Sequence, residues 1–526
     1  MGIRRIMLGS AITAMMQGMK CIICCVECEV AEGLPMFNMV GYLSAEVKEA
    51  KERILSAIRQ LGFRLQPMKI TVNISPGYLK KSGTGYDLPC ALALLQGYEL
   101  LKCDYMEKIF FAGELSLNGE VKGINGVLPM LIEASKQGYE YFVVPYENRA
   151  EALKLPGIKV LAAKCLDEVM GCLKCASLNE AADKGYFIAN CEKVSRIEDK
   201  DYAGITDFAN IKGQIALKRA CEVAASGMHN LLMIGPPGTG KSLIANAMSG
   251  ILPHLSEDEV LDVASVYSVA GLLNNEERLS GKRPFRSPHH SISMAGLVGG
   301  GNPIRPGEIS LTNHGVLFLD ELPEFKRYTL EVLRQPLEEK RIRITRANGT
   351  YDFPAHFSLV AAMNPCPCGF YPDLNRCKCS KVQIEHYLNK ISGPLLNRID
   401  ICVEVDEVGF RDMESEDMAE SSYDIRKRVT KTIERQKKRY IRNKFSYNSE
   451  LSIEEIKKYC VLKPELKDYM EEIYNNMRLG ARAYHRTLKV ARTIADMDGR
   501  DEIIMSDLNE ALLYRGIMER YWGEKQ

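Results

Sequence analysis

Apolar residues fall in short dense runs at ITVNI (70–74), YFVVP (141–145) and IKVLAA (158–163), and recur with helical spacing over 44–61 and 127–138. The first pattern predicts buried strands and the second amphipathic helices, so residues 1–172 are expected to form a mixed α/β domain. A polar stretch containing Asn190, Glu192 and the run EDKD at 198–201 marks a linker over 173–205. From Asn230 strands and helices alternate again, which predicts an α/β core over 206–408. Beyond it the spacing is almost wholly helical, and 409–526 is expected to be a helical lid.

Three strands of the 206–408 core end in residues that carry chemistry. NLLMI (230–234) runs into Gly235-Pro236-Pro237-Gly238-Thr239-Gly240-Lys241-Ser242 and then a helical segment. This strand–loop–helix order is the context that a phosphate-binding loop requires. Its glycines let main-chain N–H groups wrap phosphates, and the helix N-terminus adds its positive end. Lys241 is then expected on the β- and γ-phosphates of ATP, with the Ser242 hydroxyl on Mg2+. GVLFLDE (315–321) ends in two carboxylates: Asp320 suits metal binding and Glu321 suits general-base activation of water. FSLVAAMN (357–364) ends in Asn364, whose amide can orient that water, although an Asn before Pro365 also forms turns. Arg398, in GPLLNRIDI, can neutralise transition-state charge when delivered from a neighbouring subunit, or else make an ordinary ion pair at a helix end. Arg482 can reach the nucleotide from the lid, with Arg486 as its competitor.

Charge excludes little, because 69 basic and 68 acidic residues nearly cancel; any nucleic-acid surface must be a local patch. No window supplies the apolar length of a membrane span. IMLGSAITAMM after Arg4-Arg5 imitates a secretory leader, but it is short, carries Gly9 and Ser10, and leads to no cleavage site. The expectation is a cytoplasmic protein, with its 17 cysteines as thiols or metal ligands. Cys21, Cys24, Cys25 and Cys28 are expected as small apolar fillers of a strand.

Cys366, Cys368, Cys377 and Cys379 form two close pairs that can hold zinc tetrahedrally, a reduced metal-free loop being the alternative. RIRITRANGTYDFPAH (341–356) has two strand-like arms around Asn348-Gly349, a favoured hairpin turn. Arg341, Arg343 and Arg346 on one arm are candidate phosphate contacts to DNA, or else solvated charges. SPHHSISMAGLVGGG (287–301) is a candidate second pore loop, in which His289 and His290 have no ligand partner at suitable spacing. The basic helical run 424–444 reads first as a solvated face and second as a DNA or subunit contact.

Taken in order, GLPMFNMVGY (33–42), KITVNISPGYLKKSGTGYDLP (69–89), FRSPHHS (285–291), PGEISLTNHGVLFLDELPEF (306–325), LVAAMNPCPCG (359–369) and ISGPLLNRIDI (391–401) resemble the magnesium-chelatase-like AAA+ ATPases of the ComM/YifB family. The resemblance implies an AAA+ P-loop αβα module with a helical lid. It makes Lys241 and Ser242 the Walker A pair, Asp320 and Glu321 Walker B, Asn364 sensor 1, Arg398 the arginine finger and Arg482 sensor 2. It also implies a homo-hexameric ring and DNA branch migration during natural transformation. The N-terminal segment is similar to the proteolytic domain of Lon, but the serine position falls on Gly85 and the lysine position on Leu128. That implies a degenerate Lon-protease-like domain without covalent peptidase chemistry, Ser82 and Lys81 being out of register. Two alternatives stay open: a motor subunit for metal insertion into a tetrapyrrole, and a nucleotide-gated ATPase that remodels a protein partner without DNA.

Overall fold

The computed structural model describes residues 6–189, 204–273, 281–346, 349–410, 414, 419–443 and 445–523. Arg4, Arg5, Asn190, Glu192, the EDKD run, Asn348 and Lys444 lie outside the described residues.

Residues 6–189 build an eight-stranded mixed sheet. The leader-like segment is strand Ile6–Gln17, paired antiparallel along its whole length with the equally long Lys20–Ala31. Lys69–Ser75 and then Met36–Val40 extend the sheet on one side; Ile109–Phe111, Tyr141–Pro145, Lys159–Ala163 and Ile188–Ala189 extend it on the other. Alternation puts Cys24, Val26, Cys28 and Val30 on the buried face, while Cys21 and Cys25 are half-buried on the other. Burial pushes the Cys28 thiol up to about 12 and the Cys24 thiol to about 11. Both are inert fillers, as expected. Helices Ala45–Gln60 and Asp87–Gly97 share the core on that face.

A second sheet of five parallel strands has the order Phe285–Arg286, Gly315–Leu319, Phe357–Met363, Leu231–Ile234, Ile401–Glu404. Its three middle strands are buried at every position, which accounts for their unbroken apolar runs in the sequence. Helices Ile215–Gly227 and Lys241–Ile251 pack on it, and the C-terminal helices Ser422–Arg439, Ala481–Met497 and Met505–Trp522 join the same apolar core. The α/β fold class with an appended helical part is therefore as expected. No helix among the described residues is long and apolar enough to cross a membrane.

Several contacts link the N-terminal part to the second one, among them these hydrogen bonds. Ser268, near the end of helix Glu257–Ala270, donates to the Glu151 carboxylate (2.5 Å), and its carbonyl accepts from Gly126 N (3.0 Å). At the end of strand Ile6–Gln17, Gln17 donates to Thr350 O (3.3 Å) in the hairpin formed by Arg341–Arg346 and Gly349–Pro354.

Candidate active site

Parallel strands bring their C-terminal ends to one edge of a sheet, where ligands of open α/β folds bind. In this order the phosphate-loop strand lies directly beside Phe357–Met363, and Gly315–Leu319 lies one place further. Residues separated by more than a hundred positions therefore meet at one edge.

The loop after Leu231–Ile234 turns through Gly238 and Gly240, both at φ +80°, into helix Lys241–Ile251. The Lys241 ammonium donates to Gly235 O (2.8 Å), Pro236 O (2.7 Å) and the Asn364 side-chain oxygen (3.3 Å). Burial pulls its pKa below the ordinary lysine value, and Asp320 opposes this. Ser242 Oγ donates to Asp320 Oδ2 at 2.5 Å, and Asp320 Oδ1 accepts from Glu321 N (2.9 Å). A hydroxyl and a carboxylate facing each other form a hard-oxygen donor set suited to Mg2+. Glu321 sits at φ +51°, a left-handed conformation unusual for a non-glycine residue. Its carboxylate lies 3.3 Å from His290 Nδ1. The structure thus brings together Lys241, Ser242, Asp320, Glu321 and Asn364.

His290 was not legible as a partner of Glu321, because no local spacing connects them. The connection comes from sheet order: Phe285–Arg286 is the strand next to Gly315–Leu319, so the loops leaving both emerge side by side.

The arginines divide. Arg398 is buried, with its guanidinium donating to Pro394 O and to Glu338 of the same chain. Arg482 is exposed and makes no hydrogen bond or ion pair among the described residues. Its neighbour Arg486 pairs with Asp400, which also accepts from Asn230 N (3.0 Å) and lies 3.7 Å from His229. Burial alone would raise the Asp400 pKa, but Arg486, His229 and the Asn230 N–H outweigh it and hold the carboxyl well below the usual range. Arg486 is thus the lid arginine tied to the base of the phosphate strand.

Arg341 and Arg343 are exposed on one face of their strand, as two-residue alternation requires; Arg346 is exposed nearer the tip, with opposite parity. Arg343 pairs with Asp352, its cross-strand neighbour, at 2.8 Å. Most of the basic run falls in helix Ser422–Arg439, and among its eight basic residues Arg428 pairs with Glu222 and Glu420, Arg435 with Asp501, and Arg439 with Asp496. The four cysteines converge, their sulfurs all lying within 4.8 Å of one another.

In the N-terminal sheet, Leu128 is fully buried and a Cβ at Gly85 would lie 2.9 Å from Ile124. Lys81 is buried with its ammonium donating to Pro76 O, and Ser82 is exposed.

Three family models match the chain: subunit ChlI of Mg-chelatase over residues 26–148, magnesium chelatase subunit ChlI over 207–413, and its C-terminal part over 419–515. The chain is 39% identical to Competence protein ComM of Haemophilus influenzae over 506 residues, covering 95% of this chain and 96% of that one. It is 40% identical to the YifB protein of Escherichia coli over 497 residues, covering 94% of each. The chain belongs to the ComM/YifB-like family of magnesium-chelatase-like AAA+ ATPases. A shorter likeness, 31% over 124 residues, connects this family member to Lon protease 2 of Bacillus subtilis, covering 23% of this chain.

The Arg486–Asp400 pair generates a stability prediction. Arg486→Ala leaves a buried carboxylate without its main counter-charge, which should cost about 3 kcal/mol by urea unfolding at pH 7. Because the folded-state pKa of Asp400 is depressed, its contribution is complete above the ordinary value of about 3.9 and is lost as pH falls below it. Wild-type stability in the variant would refute this account of the pair.

Proposed function

We propose that this AAA+ ATPase hydrolyses ATP in a magnesium-dependent reaction and uses the cycle to move along DNA as a homo-hexameric ring. Branch migration or unwinding linked to recombination or natural transformation is the process it best fits. The observation that carries the catalytic part is the meeting of Lys241, Ser242, Asp320 and Asn364 at one sheet edge.

In this reading the loop 235–240 and the start of the following helix present main-chain N–H groups to the phosphates. Lys241 exchanges its contacts with Gly235 O and Pro236 O for phosphate oxygens. Ser242 and Asp320 hold Mg2+, which supplies positive charge to the β- and γ-phosphates. Glu321 accepts a proton from the attacking water, and Asn364 orients that water. Arg398 acts from a neighbouring subunit once released from Glu338, and Arg482 acts from the lid. Both roles are carried over from the family pattern.

Three features support the DNA part. A near-full-length relative is named as a competence protein. Arg341, Arg343 and Arg346 are exposed on a hairpin, and this hairpin lies in sequence between the Asp320 and Asn364 strands. Arginines presented this way contact phosphates without reading sequence. The four cysteines are proposed to hold one zinc. The described cysteines are free thiols, which suits the cytoplasm.

Lys241→Ala should abolish ATP turnover, and Glu321→Gln should slow it by about 10²-fold or more while ATP still binds. Turnover that survives Lys241→Ala would sink the catalytic reading. Branched DNA should stimulate the wild-type ATPase; stimulation by a tetrapyrrole or a protein partner instead would favour the chelatase or remodelling alternatives. Forked-DNA binding should weaken steeply with salt, with a log–log slope smaller by about 1 after Arg343→Ala. Salt-independent binding would reject the hairpin as a phosphate contact.

A further inference from the structure

The cysteine cluster is not used in the ATPase reading, yet it adjoins two parts of the site that are. It begins two residues after Asn364, so the strand that presents this amide to Lys241 runs straight into Cys366. Cys366 is fully buried, and the other three cysteines are half-buried. Sulfur separations are 3.4 Å (Cys366–Cys368), 3.7 Å (Cys366–Cys377) and 3.6 Å (Cys368–Cys377). Four sulfurs placed about 2.3 Å from a tetrahedral zinc stand about 3.8 Å apart, so the cluster is nearly at ligand spacing. Tyr371 N donates to Cys366 Sγ, a contact of the kind that orients a metal-bound thiolate. Among the described residues no other His, Cys, Asp or Glu grouping converges in this way.

The second neighbour is the phosphate loop. Gly369 closes the turn, with its N–H donating to Cys366 O (3.0 Å) and φ at +87°. A Cβ on Gly369 would fall 2.6 Å from Pro237 Cδ and 3.3 Å from Cγ. The turn between Cys366 and Gly369 therefore lies flat against the Pro237 ring, in the middle of the phosphate loop. On its far side the segment is braced: Arg376 pairs with Glu407 (2.7 Å), and the Tyr371 ring meets Tyr521 of the last helix edge-on at 6.2 Å. Tyr521 in turn donates to Glu404, at the end of the strand next to the phosphate strand.

We propose that metal held by Cys366, Cys368, Cys377 and Cys379 is a structural brace for the phosphate loop, so that nucleotide affinity depends on metal occupancy. This rests on the zinc reading above and adds a function to it. Four protein ligands fill a tetrahedral shell, leaving no open position for chemistry, so the metal acts by shape. The fifteen-residue segment 365–379 buries too little apolar surface to hold a turn by itself, and the metal supplies the cross-link. With the cross-link gone, Gly369 no longer pins Pro237, and the loop must be ordered again each time nucleotide binds.

The test uses the full chain, with fluorescently labelled ADP as the probe. Metal analysis should find about one zinc per chain. Stripping it with a zinc-selective chelator in excess Mg2+ should weaken ADP binding by about tenfold, since re-fixing even one loop residue on binding is enough for that. Added zinc should restore affinity, and further magnesium should not. Gly369→Ala should retain zinc yet weaken ADP several-fold, because its methyl collides with Pro237; Pro237→Ala in the same chain should recover part of the loss. The absence of bound metal would remove the zinc reading itself. Zinc that binds and can be stripped with no change in ADP affinity would leave that reading standing and overturn the brace. Should Gly369→Ala fail to fold, the stripped and reloaded wild-type protein decides alone.

Discussion

The hydrogen bond from Ser242 to Asp320 joins the helix that follows one strand to the end of another that is not its neighbour in the sheet. Between them runs Phe357–Met363, whose following residue, Asn364, meets Lys241. This arrangement is possible only if all three strands run parallel and end at the same edge, since reversing one would carry its acid or amide to the opposite side of the sheet. Strand polarity is thus the constraint on which the site depends. Crossover connections impose it, and because both faces of the sheet are covered each of the three strands is apolar at every position.

Much of this was legible in the chain because the deciding interactions are local. The phosphate loop announces itself through a strand, a glycine loop and a helix within about twenty residues. Strands 70–74, 141–145 and 315–319 were equally plain, their apolar runs being dense enough to override weak local propensities. The segment IMLGSAITAMM was ambiguous for the same reason, since a short apolar run looks alike as a leader and as a strand. Pairing with the next twelve-residue strand identifies it as part of the sheet.

What could not be read were pairings across long sequence separations. Glu338 with Arg398, Asp400 with Arg486 and Glu222 with Arg428 are ion pairs for which no spacing rule exists. They change the meaning of residues whose type had been interpreted in isolation. Three arginines of the basic helix clamp acidic neighbours while Lys427, Lys431 and Lys438 stay exposed, and Arg486, not Arg482, pairs with Asp400. His290 belongs to the same class: its neighbour Glu321 is thirty-one residues away and is reached only because two adjacent strands release their loops together.

The contact between Gln17 and Thr350 has a structural consequence. Gln17 ends one of the two twelve-residue strands, and Thr350 stands beside the tip of an arm that carries three exposed arginines. The two hairpins meet near their tips, so the arm rests on the bend that joins the two twelve-residue strands of the eight-stranded sheet. Ser268 donates to the Glu151 carboxylate and accepts from Gly126, which packs beside Met16, one residue before Gln17. The arm and the helix that carries Ser268 therefore meet the N-terminal part in one shared region, around the last residues of strand Ile6–Gln17.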